Sequence, residues 1–267
     1  MSRGSWVELA EGVFYQRYQP VNVNVGAVIG ANGALVIDTR AAPVQGHQVA
    51  TDFRAITSLP VRWVINTHYH WDHTFGNQVF REASIYGHPA CRRFLVDNSK
   101  QAVADALSWL PDIGPDLADL DISPPDWLVD PSVSIDLGGR SVLIEHLGRA
   151  HTDSDVVVRV SDAPVVFAGD LFESAAPPTF GDSFPVAWPT SAKSVARSGD
   201  TTIVPGHGEA MSRAAVAAQL SDLEAVAVTC RYAHREGLMP EDVKLDNAPY
   251  PLATMRRAIA RGLMELA

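Results

Sequence analysis

The sequence predicts an α/β protein in which β-rich halves are covered by helices lying outside them. Three observations carry this. Short apolar or alternating runs crowd residues 12–38 and 132–170, helical periodicity marks several stretches between them and the C-terminal part, and no repeat, low-complexity tract or linker breaks the chain. Of its 267 residues 46% are apolar and 19% charged, ample for a large core. A single domain over 1–267 is expected, with a helical C-terminal segment at 210–267.

Taken in order, Gly12–Tyr18 reads as a strand, and "VNVNVGAVIG" alternates before Asn32-Gly33, a strong hairpin signal, and "ALVID". Ala42–Ser58 reads as a helix, with Pro43 in its first turn and Val49, Phe53 and Ile56 on one face. Val61–Asn66 is a short apolar strand, "ASIYG" another, and Pro89–Leu110 a helix. From Pro111 to Pro131 the chain is dense in Pro and Asp, which predicts a long surface loop or flap. Strands resume at "SVSIDL", "RSVLIEHL", "DVVVRVS" and "APVVFAGD". Pro177–Pro189 is irregular, "TTIVPGHG" is a strand ending in a glycine-flanked loop, and Ala210–Arg235 and Pro251–Leu266 are helices.

Composition narrows the function. A net charge of −10 with no run of like charges argues against a nucleic-acid partner, since phosphate neutralisation needs a basic face. Cys91 and Cys230 stand far apart, so a disulfide framework is not expected and a reduced, cytoplasmic protein is. The opening "MSRGSWVELAEGVFYQRY" has no apolar core behind Arg3, so no signal peptide is expected. No stretch approaches the roughly 18 uncharged apolar residues of a membrane span.

Function concentrates in "INTHYHWDHTFGN" (Ile65–Asn77), where three of the nine histidines and an aspartate fall within six positions. On an extended segment positions two apart project to one side, so His68 and His70 can reach one ion while Asp72 and His73 turn toward a neighbouring point. Imidazole and carboxylate suit zinc and related divalent ions, and a catalytic zinc takes three protein ligands plus water. The cluster is therefore incomplete by itself. Other strand ends offer the remainder: His151 in "GRAHTDSD", Asp170 in "VVFAGDLF" and His207 in "IVPGHGE", where flanking glycines permit close backbone approach. One set is His68, His70 and His151, another Asp72, His73 and His207, and Asp170 can bridge them. Two metals so held share a bridging hydroxide, a nucleophile at neutral pH because the cations lower the pKa of water to about 7. Asp72 can accept its hydrogen bond and pass a proton to the leaving atom.

The order His-x-His-x-Asp-His, then His, Asp and Gly-His-Gly resembles the metallo-β-lactamase fold superfamily, from roughly Val7 to Glu209. The resemblance implies an αβ/βα sandwich of two mixed sheets with a dinuclear site on one rim, and it places Asp38, at a strand end, close to the metals. "THYHWDHTFGN" is similar to glyoxalase II enzymes, and "AHTDSDVVV" with "VVFAGDLF" to hydrolases associated with sulfur oxidation and quinoproteins. True β-lactamases of this fold usually carry Cys or Ser where Asp170 stands.

The expected activity is a hydrolase with two zinc ions per chain that opens an ester, thioester or lactone; β-lactam hydrolysis would be a side activity. The alternatives are a persulfide dioxygenase with one iron and a non-catalytic metal binder. Trp71 and Trp188 are expected to wall the substrate cleft, and the 111–131 and 171–189 loops to shape it. His47, His88, His146 and His234, without a partner motif, read as structural. The expected partner is a small-molecule substrate, the expected state a monomer or homodimer.

Overall fold

The computed structural model describes residues 5–174 and 176–267; Arg3, at the head of the segment read for a leader, lies outside them. Seven strands build the first half: β1 (Val7–Ala10), β2 (Val13–Tyr18), β3 (Val23–Gly30), β4 (Gly33–Ile37), β5 (Val61–Ile65), β6 (Ser84–Gly87) and β7 (Trp127–Leu128). They pair in sequence order, antiparallel as far as β4 and parallel from there to β7. The second half contains β8 (Ser132–Asp136), β9 (Ser141–His146), β10 (Val156–Val160), β11 (Val165–Glu173), β12 (Thr202–His207) and β13 (Met211–Ser212), antiparallel except for the parallel pair β11–β12. Between the halves β12 and β3 pair at His207 and Val23.

Side-chain alternation sorts these strands into layers. In β4, Ala34 and Val36 join a cluster with Val49 and Phe53 of α1 (Pro43–Phe53), whereas Leu35 and Ile37 face the opposite way. In β11, Val166 and Ala168 pack outward, while Val165 and Phe167 point inward against Leu35 and Ile37. Outside the second half lie α5 (Trp188–Ala196), α6 (Arg213–Glu236) and α7 (Leu252–Leu266), with Val195, Val226 and Ile259 in that outer cluster. The result is helix, sheet, sheet, helix. Each fully buried Val, Leu or Ile contributes about 1.5–3 kcal/mol, so a one-residue slip in any central strand would be strongly disfavoured.

Several boundaries differ from the sequence reading. Gly30 pairs with Gly33, so the β3–β4 turn is Ala31-Asn32 and Gly33 opens the next strand. The first helix stops at Phe53, because Arg54–Ile56 close into successive tight turns. The expected 89–110 helix is two, α3 (Pro89–Asp97) and α4 (Ser99–Trp109), divided at Asn98, whose backbone leaves the helical region. Part of the 111–131 loop is also ordered. Pro111–Leu117 tightens into a 3-10 helix that buries Ile113, and Trp127–Leu128 adds an edge strand. Among the described residues no helix is long and apolar enough to cross a membrane. Cys91 and Cys230 are both buried and free.

Candidate metal centre

β5 ends at Ile65, the chain bends through Thr67, His68 and Tyr69, and His70, extended at φ −61° and ψ 148°, begins the single helical turn α2 (Trp71–Thr74). This bend sends His68 and His70 to one point and the consecutive Asp72 and His73 to another. Ring and carboxylate atoms accordingly gather into two sets, one of His68, His70, His151 and Asp170, the other of Asp72, His73 and His207.

In the first set His70 Nδ1 lies 3.0 Å from His68 Nε2 and 2.9 Å from His151 Nε2. In the second, His207 Nε2 is 3.3 Å from both His73 Nε2 and Asp72 Oδ2. Asp170 stands between them: Oδ2 is 3.4 Å from His151 and from His207, and Oδ1 is 3.3 Å from His73. Strand β11 runs on through Asp170 to Glu173 rather than ending before it.

The donor set fits divalent metal. Four ligands about 2.0–2.1 Å from a tetrahedral zinc stand about 3.3 Å apart, close to the separations seen here. Asp170 Oδ1 is buried without a hydrogen-bond partner, an acceptor that a cation would satisfy. Gly206 makes room for it, since a Cβ there would fall 1.6 Å from that oxygen.

The surrounding atoms hold each imidazole in orientation. Asp38 Oδ2 lies 2.8 Å from His73 Nδ1, and Thr67 donates to the same carboxylate through both its backbone N–H and its hydroxyl at 2.8 Å. His207 Nδ1 faces Val21 O at 2.8 Å, and His70 Nε2 faces Asp182 Oδ2 at 3.1 Å. Thus His68, His73, His151 and His207 turn Nε2 inward, and His70 turns Nδ1 inward.

Charge follows from this packing. Burial lowers His73, but Asp170, Asp38 and Asp72 outweigh it and raise the imidazole to about 9. His207 is raised, against burial, chiefly by Asp170. Burial dominates at His151, which falls to about 4, and at His68, which falls well below its usual value. Burial would push Asp72 upward, yet His73 and His207 keep it low, so it is a carboxylate at neutral pH. The acids hold protons on neighbouring imidazoles, and these are the protons a dication would displace.

This arrangement agrees with a family comparison. The profile of the Metallo-beta-lactamase superfamily matches residues 18–207. The chain belongs to this superfamily. Among solved structures it is similar to a metallo-beta-lactamase from Pontibacter korlensis, with a TM-score of 0.67, 17% identity, and coverage of 83% of this chain and 99% of that one. It is also similar to the metallo-beta-lactamase FIM-1 from Pseudomonas aeruginosa in its mono-zinc form, with a TM-score of 0.68, 20% identity, and coverage of 84% and 96%. At such identities the likeness is one of fold, and it confirms the sandwich expected of the superfamily.

Two expected cleft residues are placed elsewhere by the metallo-beta-lactamase fold of this chain. Trp188 is fully buried; its indole N–H donates to Leu171 O at 3.1 Å and its ring packs edge-on to His151. It backs a candidate ligand from the core instead of walling a cleft. Trp71 is buried with Phe75, Ala102, Ala106 and Ile113, fastening α2 to α4. Segment 176–187 holds a residue that sequence reasoning missed, Asp182, which stands in an irregular stretch with no motif to mark it. His88 and His146 stack on each other with centroids 4.0 Å apart, outside both sets.

Proposed function

We propose that this chain is a hydrolase with two zinc ions that opens an ester, thioester or lactone. The observation that carries this reading is the convergence of seven side chains into two adjoining sets that share Asp170. His68, His70 and His151 would hold one ion, Asp72, His73 and His207 the other, with Asp170 bridging. Bound zinc would supply Lewis acidity and lower the pKa of water to about 7.

The chain's own residues do the rest. Asp72, ionised at neutral pH and held near His73 and His207, accepts a hydrogen bond from the attacking water and returns the proton to the leaving atom. Asp38 and Asp182 face the outward nitrogens of His73 and His70, so the proton each ring would keep on binding metal sits there and the inward nitrogen would be the ligand. Burial of His68, His73 and His151 excludes bulk water from the ligand cluster. In the same reading residues 1–267 form one domain acting on a small molecule, in the cytoplasm, as a monomer or homodimer.

Elemental analysis of protein purified without chelator, followed by a panel of esters, thioesters and lactones, tests this. About two zinc per chain with turnover that disappears in Asp72→Ala supports it. One iron per chain, with oxygen uptake on a persulfide, would replace it by sulfur oxygenation. A nitrocefin assay reads any β-lactamase side activity.

A further inference from the structure

Among the imidazoles facing the metal centre, His70 alone turns Nδ1 inward, and its outer nitrogen meets a residue from a distant part of the chain. Asp182 Oδ2 lies 3.1 Å from His70 Nε2 and accepts the Tyr69 hydroxyl at 2.7 Å. Once a dication has displaced the inner proton an imidazole keeps a single N–H, and a carboxylate placed to accept it at Nε2 leaves the Nδ1 lone pair directed at the cluster. Tyr69 has little freedom to release the carboxylate, because its ring stacks on Phe94 of α3 with centroids 4.0 Å apart.

The backbone carrying Asp182 is gripped by the last helix. Arg261 on α7 donates to the carbonyls of Asp182 at 3.0 Å and Ser183 at 3.2 Å. One turn on, Glu265 accepts the backbone N–H groups of Val186 at 2.7 Å and Ala187 at 2.9 Å. Residues four apart share a helix face, so one face of α7 holds both ends of segment 182–187. The Asp182 side chain is 41% exposed, and packing alone would not fix it.

We propose that Asp182 is a positioning residue for His70, and that α7, through Arg261 and Glu265, sets the metal affinity of the centre by fixing Asp182. This rests on the metal-binding reading above. It gives the C-terminal helix, which lies beyond the family match at 18–207, a part in the metal chemistry.

The test is a zinc titration against a chromophoric chelator for the wild-type chain, D182A, D182N, R261A, E265A and D153A, with far-UV circular dichroism of each metal-free protein. Asp153 lines the same pocket as Asp182, of about 290 Å³, but pairs with Arg93 at 3.2 Å instead of His70. It therefore controls for charge without the contact. Expected are a loss of about 10–100-fold in zinc affinity for D182A, a smaller loss for D182N, which keeps an acceptor oxygen, losses in the same direction for R261A and E265A, and no change for D153A. Imidazole ¹⁵N shifts of the zinc-loaded chains should show a hydrogen-bonded His70 Nε2–H in the wild type and loss of that hydrogen bond in D182A, a change that general loosening of the fold would not confine to this ring. Unchanged affinity in D182A, or an equal loss in D153A, would overturn the proposal while leaving the metal reading intact. A wild-type chain that binds no zinc would sink both.

Discussion

The Asp38 carboxylate, 2% exposed, lies 2.8 Å from His73 Nδ1 and adopts φ 63°, a left-handed conformation that Asp and Asn tolerate better than most residues. The same group binds Thr67 through N–H and hydroxyl, so it locks the segment between β5 and the histidines to the end of β4. Asp38→Ala strands the buried Thr67 N–H and the outer nitrogen of His73, and should cost about 2–4 kcal/mol. Asp38→Asn keeps the backbone conformation and one acceptor and should cost less. Urea unfolding of the metal-free variants reads both, and equal stabilities for the wild type and Asp38→Ala would contradict the role given to Asp38.

Gly206 lies where the carboxylate of Asp170 passes closest to backbone. A Cβ there would meet Asp170 Oδ1 at 1.6 Å and the Gly169 carbonyl carbon at 2.7 Å, and the second neighbour is backbone that cannot swing aside. Gly206→Ala should therefore displace Asp170 and reduce bound zinc below that of the wild type, with the sheets intact. Metal content together with circular dichroism would show this; full metal content would mean that β12 yields locally.

Asp155 gives a pH signature. Burial raises its carboxyl to about 8 although Thr152 hydrogen-bonds both oxygens. An unfolded carboxyl titrates near 4. Between about pH 4 and 8 the folded chain thus retains a proton that the unfolded chain has lost, and this group's contribution becomes steadily less favourable as pH rises through that window. Asp155→Asn removes the titration and keeps an acceptor for Thr152 N–H. In metal-stripped protein its stability should gain on the wild type from pH 5 to pH 8 in urea denaturation. Parallel pH profiles for the two proteins would refute the assignment.

The sequence made much of this legible, and the reasons for the gaps are physical. The convergence of His68, His70, Asp72, His73, His151, Asp170 and His207 is legible because ligand chemistry restricts residue type, although Asp170 lies within β11 and not at its end. Alternation in "VNVNVGAVIG" and "ALVID" likewise marked β3 and β4, though the turn between them moved one residue because Gly33 pairs with Gly30. Trp71 and Trp188 were misplaced because loop-like sequence does not reveal whether an aromatic ring turns in or out. Asp182 was invisible for a related reason. Its meaning comes from Tyr69 and Arg261, brought to it across 113 and 79 positions by the fold.

The two-set arrangement makes a final, separable prediction. His151 and His207 belong to different sets, so His151→Ala and His207→Ala should each weaken one ion and leave the other, giving about one zinc per chain in place of two. Asp170 is within 3.4 Å of nitrogens in both sets, so Asp170→Ala should lower the affinity for both ions and go further than either histidine variant. Binding to the folded state alone stabilises by about 2.7 kcal/mol at a hundred-fold excess over Kd. Zinc should therefore raise the melting temperature of the wild type most, the two histidine variants less and Asp170→Ala least, with EDTA abolishing the differences due to metal. Elemental analysis and melting curves with and without EDTA decide it. Complete loss of metal in His207→Ala alone would mean that the two sets do not bind independently.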